Sequence, residues 1–366
     1  MTHPALRIER LAVRGFRNLE SLDLSPGPRF NVLSGDNGQG KSNLLEAIFY
    51  LGALESFRLA AKDALIAHDA ERAVIAGKLE TAPAPVTAKI ALDRRVARKL
   101  ALDDKRPRSR ATWLHAIQMV LFHPGDLALA SGPPKGRRDL LDRILSQVDV
   151  GYAKTLADYD KALRSRNRLL KLEGADRRSI TSYDALLAEN GAILGRARQT
   201  LVKELEPSTI DAFLRVAGAE LPLEMRYEPR VEPDPEALRA ALGRSLDKDL
   251  ARGFTAEGPH ADELALTVRD RRARHAASQG QHRMMVLALK IAELAVLERR
   301  TGRVPILLLD DVSSELDATR NARLMRLLDE VGAQVFVTTT HPELIRVAHH
   351  RVDYRVEAGR IELQGS

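Results

Sequence analysis

The fold of this 366-residue chain is most constrained by one glycine-rich octapeptide, Gly35-Asp36-Asn37-Gly38-Gln39-Gly40-Lys41-Ser42, which fits the pattern GxxxxGK[ST]. Segment 29–33 before it predicts a strand, and Asn43 to Leu54 after it predicts a helix with one apolar face. Strand, glycine loop and helix begin a nucleotide-binding α/β unit, in which backbone N–H groups and the helix N-terminus surround phosphates. We therefore predict that these eight residues and Asn43 bind ATP. Lys41 would reach the β and γ phosphates and act in catalysis, and Ser42 would be a ligand of Mg²⁺.

A second motif is the apolar run Ile306 to Leu309, which ends in Asp310 and Asp311. A buried parallel strand carries the residues at its carboxyl end to the sheet edge where ligands bind. Together with the glycine loop, this run is a Walker B element. We predict that Asp310 holds the Mg²⁺ shell and that Asp311 is the catalytic carboxylate that polarises the attacking water.

Three further features follow the order that ABC ATPases use. Ser278-Gln279-Gly280-Gln281 precedes a long helical stretch, about 25 residues before the apolar run, where the signature motif would stand. Its hydroxyl and backbone N–H groups, from Ser278, Gly280 and Gln281, could meet a γ-phosphate, although the segment read alone is an ordinary helix N-cap. Ser314 to Asp317 stands where a D-loop would place Asp317 near nucleotide. His341 follows the strand predicted at 334–338 and is a candidate catalytic switch histidine.

The pattern between these motifs predicts an α/β fold split in sequence. Prolines and glycines from Ser131 to Gly136 interrupt the first part, and the chain then becomes helical. Apolar residues recur nearly as a heptad seam between Tyr183 and Leu205, which favours an antiparallel helical arm. We predict an ABC-type P-loop ATPase head made of residues 1–130 and 256–366, with a mainly helical arm domain inserted at 131–255.

The charge balance permits a polyanionic partner. The chain has 57 basic and 50 acidic side chains, a formal charge of +7 and a pI near 9.6. It contains no cysteine, which excludes disulfides and thiolate metal sites. No apolar run approaches the roughly 18 residues of a membrane span, and the N-terminus does not have the pattern of a signal peptide. We expect no membrane partner and a cytoplasmic location.

Basic residues are concentrated between two predicted strands at 89–92 and 100–102. From Arg94 to Arg110 there are eight basic side chains against two acidic ones, with few aromatic residues among them. Dense charge without aromatic interleaving favours contacts to phosphates over base stacking. We predict DNA contacts on this hairpin. The arm adds Arg164, Arg166, Arg168 and Lys171, for which a merely solvated face is an equal alternative. The predicted DNA-binding residues are Arg94, Arg95, Arg98 and Lys99.

Several motifs together resemble the RecF family, DNA-repair ATPases related to the SMC proteins. The resemblance extends from near the N-terminus to about residue 343. The residues that carry it are Phe16-Arg17-Asn18-Leu19, Asn43 to Ile48, Ser56-Phe57-Arg58, Phe122 to Leu127, Gly132-Pro133 to Asp142, Gly258-Pro259-His260 with Asp262, and Leu308 to Val312 with Ser314 to Asp317.

The resemblance implies an ATP-dependent homodimer that binds double-stranded DNA near single-strand gaps and cooperates with RecO and RecR in loading RecA. Hydrolysis would be slow and would serve as a nucleotide switch. Two other classes share the phosphate loop: the ATPase subunit of an ABC transporter-like machine, and a P-loop kinase or nuclease-fused ATPase. The helical arm and the lack of a clear Q-loop glutamine argue against a transporter; Gln118 lies near the expected region.

Overall fold

The computed structural model describes residues 3–81, 84–174, 176–218, 222–312, 316–348 and 350–364. The chain forms two compact units. The first comprises Met1–Asp126, Asp211–Glu220 and Met284–Ser366, and the second comprises Leu127–Ile210 and Leu221–Arg283. The predicted domain boundaries after residues 130 and 255 stay predictions. Residues 256–283, which we assigned to the ATPase head, belong to the second compact unit.

The first unit contains a six-stranded sheet in which both nucleotide motifs end strands. Its spatial order is β14 (Arg360–Leu363), β13 (Arg351–Glu357), β3 (Phe30–Ser34), β12 (Val335–Thr339), β11 (Ile306–Asp310) and β7 (Met119–Phe122). All neighbours are parallel except β14 and β13. Every residue of β7, β11 and β12 is buried, which explains their uninterrupted apolar runs. Because these strands are parallel, the ends of β3, β12 and β11 meet at one edge.

The first unit also contains an antiparallel sheet. Its spatial order is β2 (Leu19–Leu24), β1 (Arg7–Phe16), β4 (Arg72–Glu80), β5 (Val86–Asp93) and β6 (Lys99–Leu102). The strands predicted at 89–92 and 100–102 are confirmed as β5 and β6. The sequence did not predict β4, where Gly77 interrupts the pattern. A Cβ at Gly77 would lie 2.6 Å from Leu51 Cδ2, so the glycine lets a helix approach the strand.

The helices of the first unit cover the sheets. They are α1 (Lys41–Ala53), α2 (Lys62–Leu65), α3 (Arg110–Ala116), α12 (Ala318–Val331) and most of α11 (Gln279–Thr301), which begins in the second unit. On α1, Leu44, Leu45, Ile48 and Leu51 are fully buried at helical spacing. They belong to one apolar cluster with strands of both sheets. Each such side chain contributes about 1.5–3 kcal/mol on burial, which fixes the phosphate loop to the core.

The second unit is mainly helical, as predicted, with one small antiparallel sheet. Its sheet has the order β10 (Arg271–Arg272), β9 (Glu263–Val268) and β8 (Leu223–Glu228). Its helices are α4 (Ala128–Ser131), α5 (Pro134–Val148), α6 (Val150–Leu169), α7 (Arg177–Thr181), α8 (Asp184–Ala217, ending in the first unit), α9 (Pro235–Arg252) and α10 (Ala273–Ala276). None of the helices in the described parts of the chain is both long and apolar enough to cross a bilayer.

The predicted seam lies on α8, where Leu187, Leu194, Leu201 and Leu205 are buried. The sequence did not predict the return elements β8 and α9, which complete this unit. One of the basic residues that we grouped on the arm does not lie on its surface. Arg166 is not a surface cation but is fully buried, with its guanidinium 3.0 Å from Asp184 Oδ1 and 2.8 Å from Asp249 Oδ2.

Candidate functional site

The loop between β3 and α1 has a backbone shape that can enclose an anion. Gly35, Gly38 and Gly40 have φ values of +147°, +81° and +113°, which residues with side chains rarely adopt. A Cβ at Gly35 would also lie 2.3 Å from the carbonyl oxygen of Val356. Residues 36–38 at the loop apex are exposed, whereas Gly40 is buried at the start of the helix. The loop therefore presents open N–H groups in front of a helix N-terminus.

The Lys41 ammonium is held inside this loop. Its Nζ donates to the carbonyl oxygens of Gly35 at 2.6 Å and Asp36 at 2.8 Å. Burial lowers the pKa of Lys41, while the carboxylates of Asp311, Asp36 and Asp310 act in the opposite direction. A cation that is removed from water and held by neutral carbonyls can exchange them for charged phosphate oxygens, which are stronger acceptors.

The Walker B carboxylate and the last residue of the phosphate loop are in direct contact. Ser42 Oγ donates to Asp310 Oδ1 at 2.8 Å, and Thr338 Oγ1 donates to the same oxygen at 2.8 Å. Asp310 ends β11, Thr338 is on neighbouring β12, and Ser42 is on α1. The parallel sheet thus brings together two predicted Mg²⁺ ligands that are 268 residues apart in sequence.

A hydroxyl and a carboxylate are the hard oxygen ligands that Mg²⁺ prefers, so Ser42 and Asp310 fit the predicted ion. Among the residues that the structure describes, no group of three or more His, Cys, Asp or Glu side chains could hold a metal by itself. A cation here would therefore take its remaining ligands from phosphate oxygens and water, as Mg²⁺ does in phosphoryl-transfer sites.

Asp311 has an unusual backbone conformation for a residue with a side chain. Its φ is +51°, in the left-handed region, which costs about 1–2 kcal/mol for such residues. Its N–H donates to Thr338 Oγ1 at 2.9 Å. Thr338 therefore holds both acidic residues, accepting from Asp311 and donating to Asp310. Strain that is maintained by specific bonds is typical of functional positions.

Two other predicted residues lie at the ends of elements near this edge. His341 follows β12; it is exposed, its N–H donates to Thr339 Oγ1 at 2.9 Å, and its Nδ1 is 3.2 Å from Glu343 Oε1. Asp317 is the N-cap of α12 and accepts from the N–H of Arg320 at 2.9 Å. Ser314 and Glu315 of the predicted D-loop lie outside the described residues. The nucleotide roles of His341 and Asp317 stay predictions.

The predicted signature segment begins α11 in the second unit. Ser278 Oγ accepts from the N–H of Gln281 at 3.2 Å, and Gln281 Oε1 accepts from the N–H of Ser278 at 2.8 Å. This reciprocal pair is a capping box. Gly280 between them has an ordinary φ, and a Cβ placed on it would meet no heavy atom within 4 Å. Neither the backbone nor the packing within the described chain requires a glycine at this position.

Asn43, a predicted ATP-binding residue, contacts two residues beside the phosphate loop that the site prediction omitted, Asn18 and Arg58. Asn18 Oδ1 accepts from Asn43 Nδ2 at 2.8 Å, and Arg58 donates to Asn43 Oδ1 at 2.7 Å. Buried Glu46 of α1 accepts two bonds from Arg17, at 3.0 and 3.1 Å. The three motifs at residues 16–19, 43–48 and 56–58 therefore form one polar network that braces the start of α1.

The turn between β13 and β14 also supports the loop. The N–H of Ala358 donates to Gln39 Oε1, and the N–H of Gly359 donates to the Gln39 carbonyl, both at 2.8 Å. A Cβ at Gly359 would lie 2.1 Å from the carbonyl oxygen of Asn18. Gln39 thus has a structural partner near the C-terminus that its motif alone does not indicate.

Gln118 does not lie at the catalytic edge. It is fully buried just before β7, and its amide donates to the His115 carbonyl at 2.5 Å. Because β7 is parallel to β11, Gln118 lies at the opposite end of the sheet from Asp310. This position gives no support for a Q-loop role of Gln118. His123, directly after β7, occupies the edge instead, and its ring centroid is 5.2 Å from that of Phe57.

The predicted DNA-binding residues differ in how free their side chains are. Arg94 donates to the carbonyls of Ala70 and Ala67, each at 3.0 Å, and is half-buried. Arg98 donates to the Leu54 carbonyl at 2.5 Å and to the Tyr50 hydroxyl at 3.1 Å. These two guanidinium groups stabilise the head itself. The other predicted contacts and the later cations are exposed: Arg95, Lys99, Lys105, Arg106 and Arg108.

The motifs from the middle of the chain meet in a buried polar network of the second unit. Arg198 of α8 donates two bonds to Asp142, both at 2.8 Å, and one to the Pro259 carbonyl at 2.7 Å. Arg137 is paired with Glu263 at 2.9 Å, and Arg138 donates to the Asp262 carbonyl at 2.7 Å. Residues 132–142 and 258–263 thus hold this unit together.

His260 lies within this network. Its Nε2 is 2.9 Å from the Thr255 carbonyl, and its Nδ1 is 2.7 Å from the Tyr159 hydroxyl. Since a carbonyl only accepts, Nε2 carries the proton and Nδ1 accepts from Tyr159. Burial lowers the pKa of His260, and Arg138 and Arg198 lower it further, whereas the bond to Thr255 raises it. The neutral ring is therefore the form that fits.

Comparison with known proteins first defines the class. The family model described as RecF/RecN/SMC N terminal domain matches residues 7–362. The Smc head domain of Pyrococcus furiosus, solved with an extended coiled coil and the C-terminal domain of ScpA, aligns with a TM-score of 0.59 over 98% of this chain and 96% of that one, at 17% identity. The fold is that of an SMC-type ATPase head, which confirms the predicted fold class.

Closer relatives then define the family. The DNA replication and repair protein RecF of Anaeromyxobacter sp. (strain Fw109-5) is 40% identical, over 97% of this chain and 99% of its own. A solved structure of the recombination mediator protein RecF-ATPrS in the RecFOR pathway covers 100% of both chains at 29% identity, with a TM-score of 0.91. The chain belongs to the RecF family.

Proposed function

We propose that this protein is an ATP-switched, duplex-DNA-binding protein of recombination repair. ATP would drive two copies together, and slow, DNA-stimulated hydrolysis would separate them. The dimer would bind double-stranded DNA near single-strand gaps and assist RecA loading with RecO and RecR, in the cytoplasm. The names of the relatives and of the RecFOR structure support this proposal, together with the ATP site described above.

In this proposal, each residue of the catalytic edge has a separate task. The glycine loop and Lys41 bind the phosphates, and Ser42 with Asp310 would hold Mg²⁺, which would neutralise phosphate charge when bound. Asp311 would orient the attacking water. Thr338 would keep the two carboxylates in their different roles, because its hydroxyl bonds the side chain of one and the backbone of the other.

Gly280 is the observation that carries the dimer proposal. A glycine in a helix is less favourable than alanine by roughly 0.5–1 kcal/mol, and nothing within 4 Å explains it here. An exposed helix N-terminus that lacks a Cβ allows an anion to approach the backbone N–H groups closely. We infer that the approaching group is ATP bound to the phosphate loop of a second copy of this chain.

We propose that duplex DNA contacts the exposed cations of the basic hairpin. Arg95, Lys99, Arg106 and Arg108 are exposed, whereas Arg94 and Arg98 have structural partners. Flexible cations without aromatic neighbours contact phosphates and ignore sequence. Binding should therefore depend strongly on salt and weakly on base composition.

The function is tested by ATP turnover with and without duplex DNA. The proposal expects slow turnover that duplex DNA accelerates, and none in Asp311→Asn. Glu362→Gln makes the same chemical change at an exposed position and should behave as the parent. Turnover that is insensitive to duplex DNA would contradict a DNA-coupled switch. It would favour the transporter-subunit alternative.

The DNA surface is tested separately, by removing exposed cations of the hairpin that hold no backbone carbonyl of the head; of the three, Arg95 has one exposed ion pair, with Glu71 at 3.5 Å. Changing Arg95, Lys99 and Arg106 to Gln should weaken duplex binding and lower the slope of log affinity against log salt by about 0.9 for each lost contact. The matched control changes three other exposed cations of the first unit, Arg326, Arg355 and Arg360. Equal effects of the two triple variants would mean that net charge, not this hairpin, matters.

A further inference from the structure

One face of α6 carries a row of cations. Four lie on the helix and one lies just beyond its end: Lys154, Lys161, Arg164, Arg168 and Lys171. All five are exposed. Their sequence separations follow the helical repeat, so the five lie within an arc of about 100°. Two carboxylates of α6 lie near this face: Asp158 is exposed beside the first cation, and the half-buried Asp160 attracts Arg164. At about 1.5 Å per residue, the stripe is about 26 Å long.

These cations differ from the buried arginines of the second unit. Arg137, Arg166 and Arg198 each pair with a carboxylate at 3.0 Å or less. Within the described ranges, the five stripe residues form no ion pair and no side-chain hydrogen bond. Like charges three and four residues apart destabilise a helix by about 0.2–0.5 kcal/mol for each pair. The stripe therefore carries a like-charge repulsion that no ion pair inside the described chain offsets.

A second row of cations lies on α9. Arg244, Lys248 and Arg252 are spaced four residues apart and are exposed. The end of α9 lies beside the end of the stripe, because a Cβ at Gly253 would lie 3.4 Å from Lys171 Cγ. Leu170, Ile180 and Leu246 pack in one small cluster that joins α6, α7 and α9. Both rows therefore meet at the same end of this unit.

The chemistry of the stripe indicates what it binds. Between the cations, the same face carries the small side chains of Ala157 and Ser165, and the tyrosines of α6, Tyr152 and Tyr159, are buried. A protein interface of normal strength needs an apolar or aromatic centre, which this face lacks. Single-stranded nucleic acid needs aromatic platforms. A regularly spaced row of flexible cations matches repeating phosphates instead.

We propose that the α6 stripe, Lys154 to Lys171, is a second phosphate-contacting surface that follows the backbone of duplex DNA. The inference rests on the proposed DNA-binding function, which assigned contacts only to the hairpin of the first unit. The arm adds sequence-independent affinity and has no part in nucleotide binding. Duplex binding should therefore depend on two separate sets of cations, each with its own share of the salt dependence.

The test compares two triple variants that lose equal charge from the second unit. Lys161→Gln, Arg164→Gln and Arg168→Gln remove the middle of the stripe but keep residues that favour helix. Lys203→Gln, Arg226→Gln and Arg239→Gln form the control. Duplex affinity is measured by fluorescence anisotropy with ATP present, between about 50 and 200 mM salt. Thermal unfolding followed by circular dichroism checks that both variants fold.

The stripe variant should lose roughly eightfold in affinity for each lost contact near 0.1 M salt, with a slope lower by about 0.9 per contact. The control and the charge-conserving pair Arg164→Lys and Arg168→Lys should bind as the parent does. Parental affinity and slope in the stripe variant would overturn the inference and leave the stripe for an acidic protein. Failure of the parent protein to bind duplex would instead overturn the proposed function.

Discussion

Thr338 offers a sharp test of how the catalytic edge is built, because Thr338→Val removes one hydroxyl and keeps the shape of the side chain. The hydroxyl is buried, donates to Asp310 Oδ1 at 2.8 Å and accepts from the N–H of Asp311 at 2.9 Å. A hydrogen bond to a charged group contributes about 1.5–3 kcal/mol, and a buried donor that loses an acceptor costs about 1–3 kcal/mol. Since the new methyl group offsets part of this loss, we expect unfolding free energy to fall by about 2–3 kcal/mol.

The larger effect should be on turnover. Without this hydroxyl, the Asp310 carboxylate keeps only its bond from Ser42, and the backbone N–H of Asp311 loses its bond to Thr338. A loss of about 1.4 kcal/mol in transition-state stabilisation is tenfold in rate. We expect at least this loss in steady-state ATP hydrolysis, with nucleotide affinity nearly unchanged. Thr338→Ser keeps the hydroxyl and should restore turnover.

The matched control is Thr209→Val, another buried threonine, whose hydroxyl donates to the Leu205 carbonyl of its own helix. It should leave ATP hydrolysis at the parental rate. Chemical denaturation without nucleotide gives the two stabilities, and hydrolysis gives the rates. Parental turnover in Thr338→Val, or equal losses in the two valine variants, would refute the positioning role of Thr338.

Three other outcomes follow from the same contacts. Lys41→Ala should lose ATP affinity in equilibrium binding, whereas Asp311→Asn should keep ATP and stop turnover; undiminished hydrolysis in Asp311→Asn would remove its catalytic role. Gly280→Ala should raise the melting temperature, because helical glycine is replaced, yet weaken ATP-driven association; unimpaired association would contradict a close approach at this helix end. Because the pKa of His260 is lowered in the fold, the free energy of unfolding should fall as the pH drops below the unfolded-state pKa of about 6.5. His260→Gln should remove this contribution to the pH dependence of the free energy of unfolding. An unchanged pH profile in this variant would contradict the role of the buried neutral ring.

The nucleotide edge was predictable because its parts have strong local patterns. The octapeptide, the apolar run before Asp310 and the helix after Lys41 each specify one element, and parallel strands must then place their ends together. Thr338 was not predictable, since a threonine near the end of a buried strand is ordinary until its two acidic neighbours are known. The same holds for Asn18 and Asn43, whose contact joins elements 25 residues apart in sequence.

The charged residues show where sequence patterns are ambiguous. Arg94 and Arg98 look like surface cations, but only the structure shows the backbone carbonyls that they bind. Arg166 could have been separated from Arg164 and Arg168, because two residues correspond to about 200° around a helix. The stripe cations and the buried Arg166 therefore lie on opposite faces of α6. The alternation of arginines in the sequence conceals this difference.

ATP-dependent association is the central claim, and light scattering tests it most directly. The chain has a mass of 40.5 kDa, and we predict that ATP doubles the mass of the parent protein in solution. Ser278→Arg places a long side chain at the exposed start of α11 and should bind ATP while remaining at the mass of one chain. A parent protein that stays at 40.5 kDa with ATP, or a Ser278→Arg variant that doubles normally, would contradict the account.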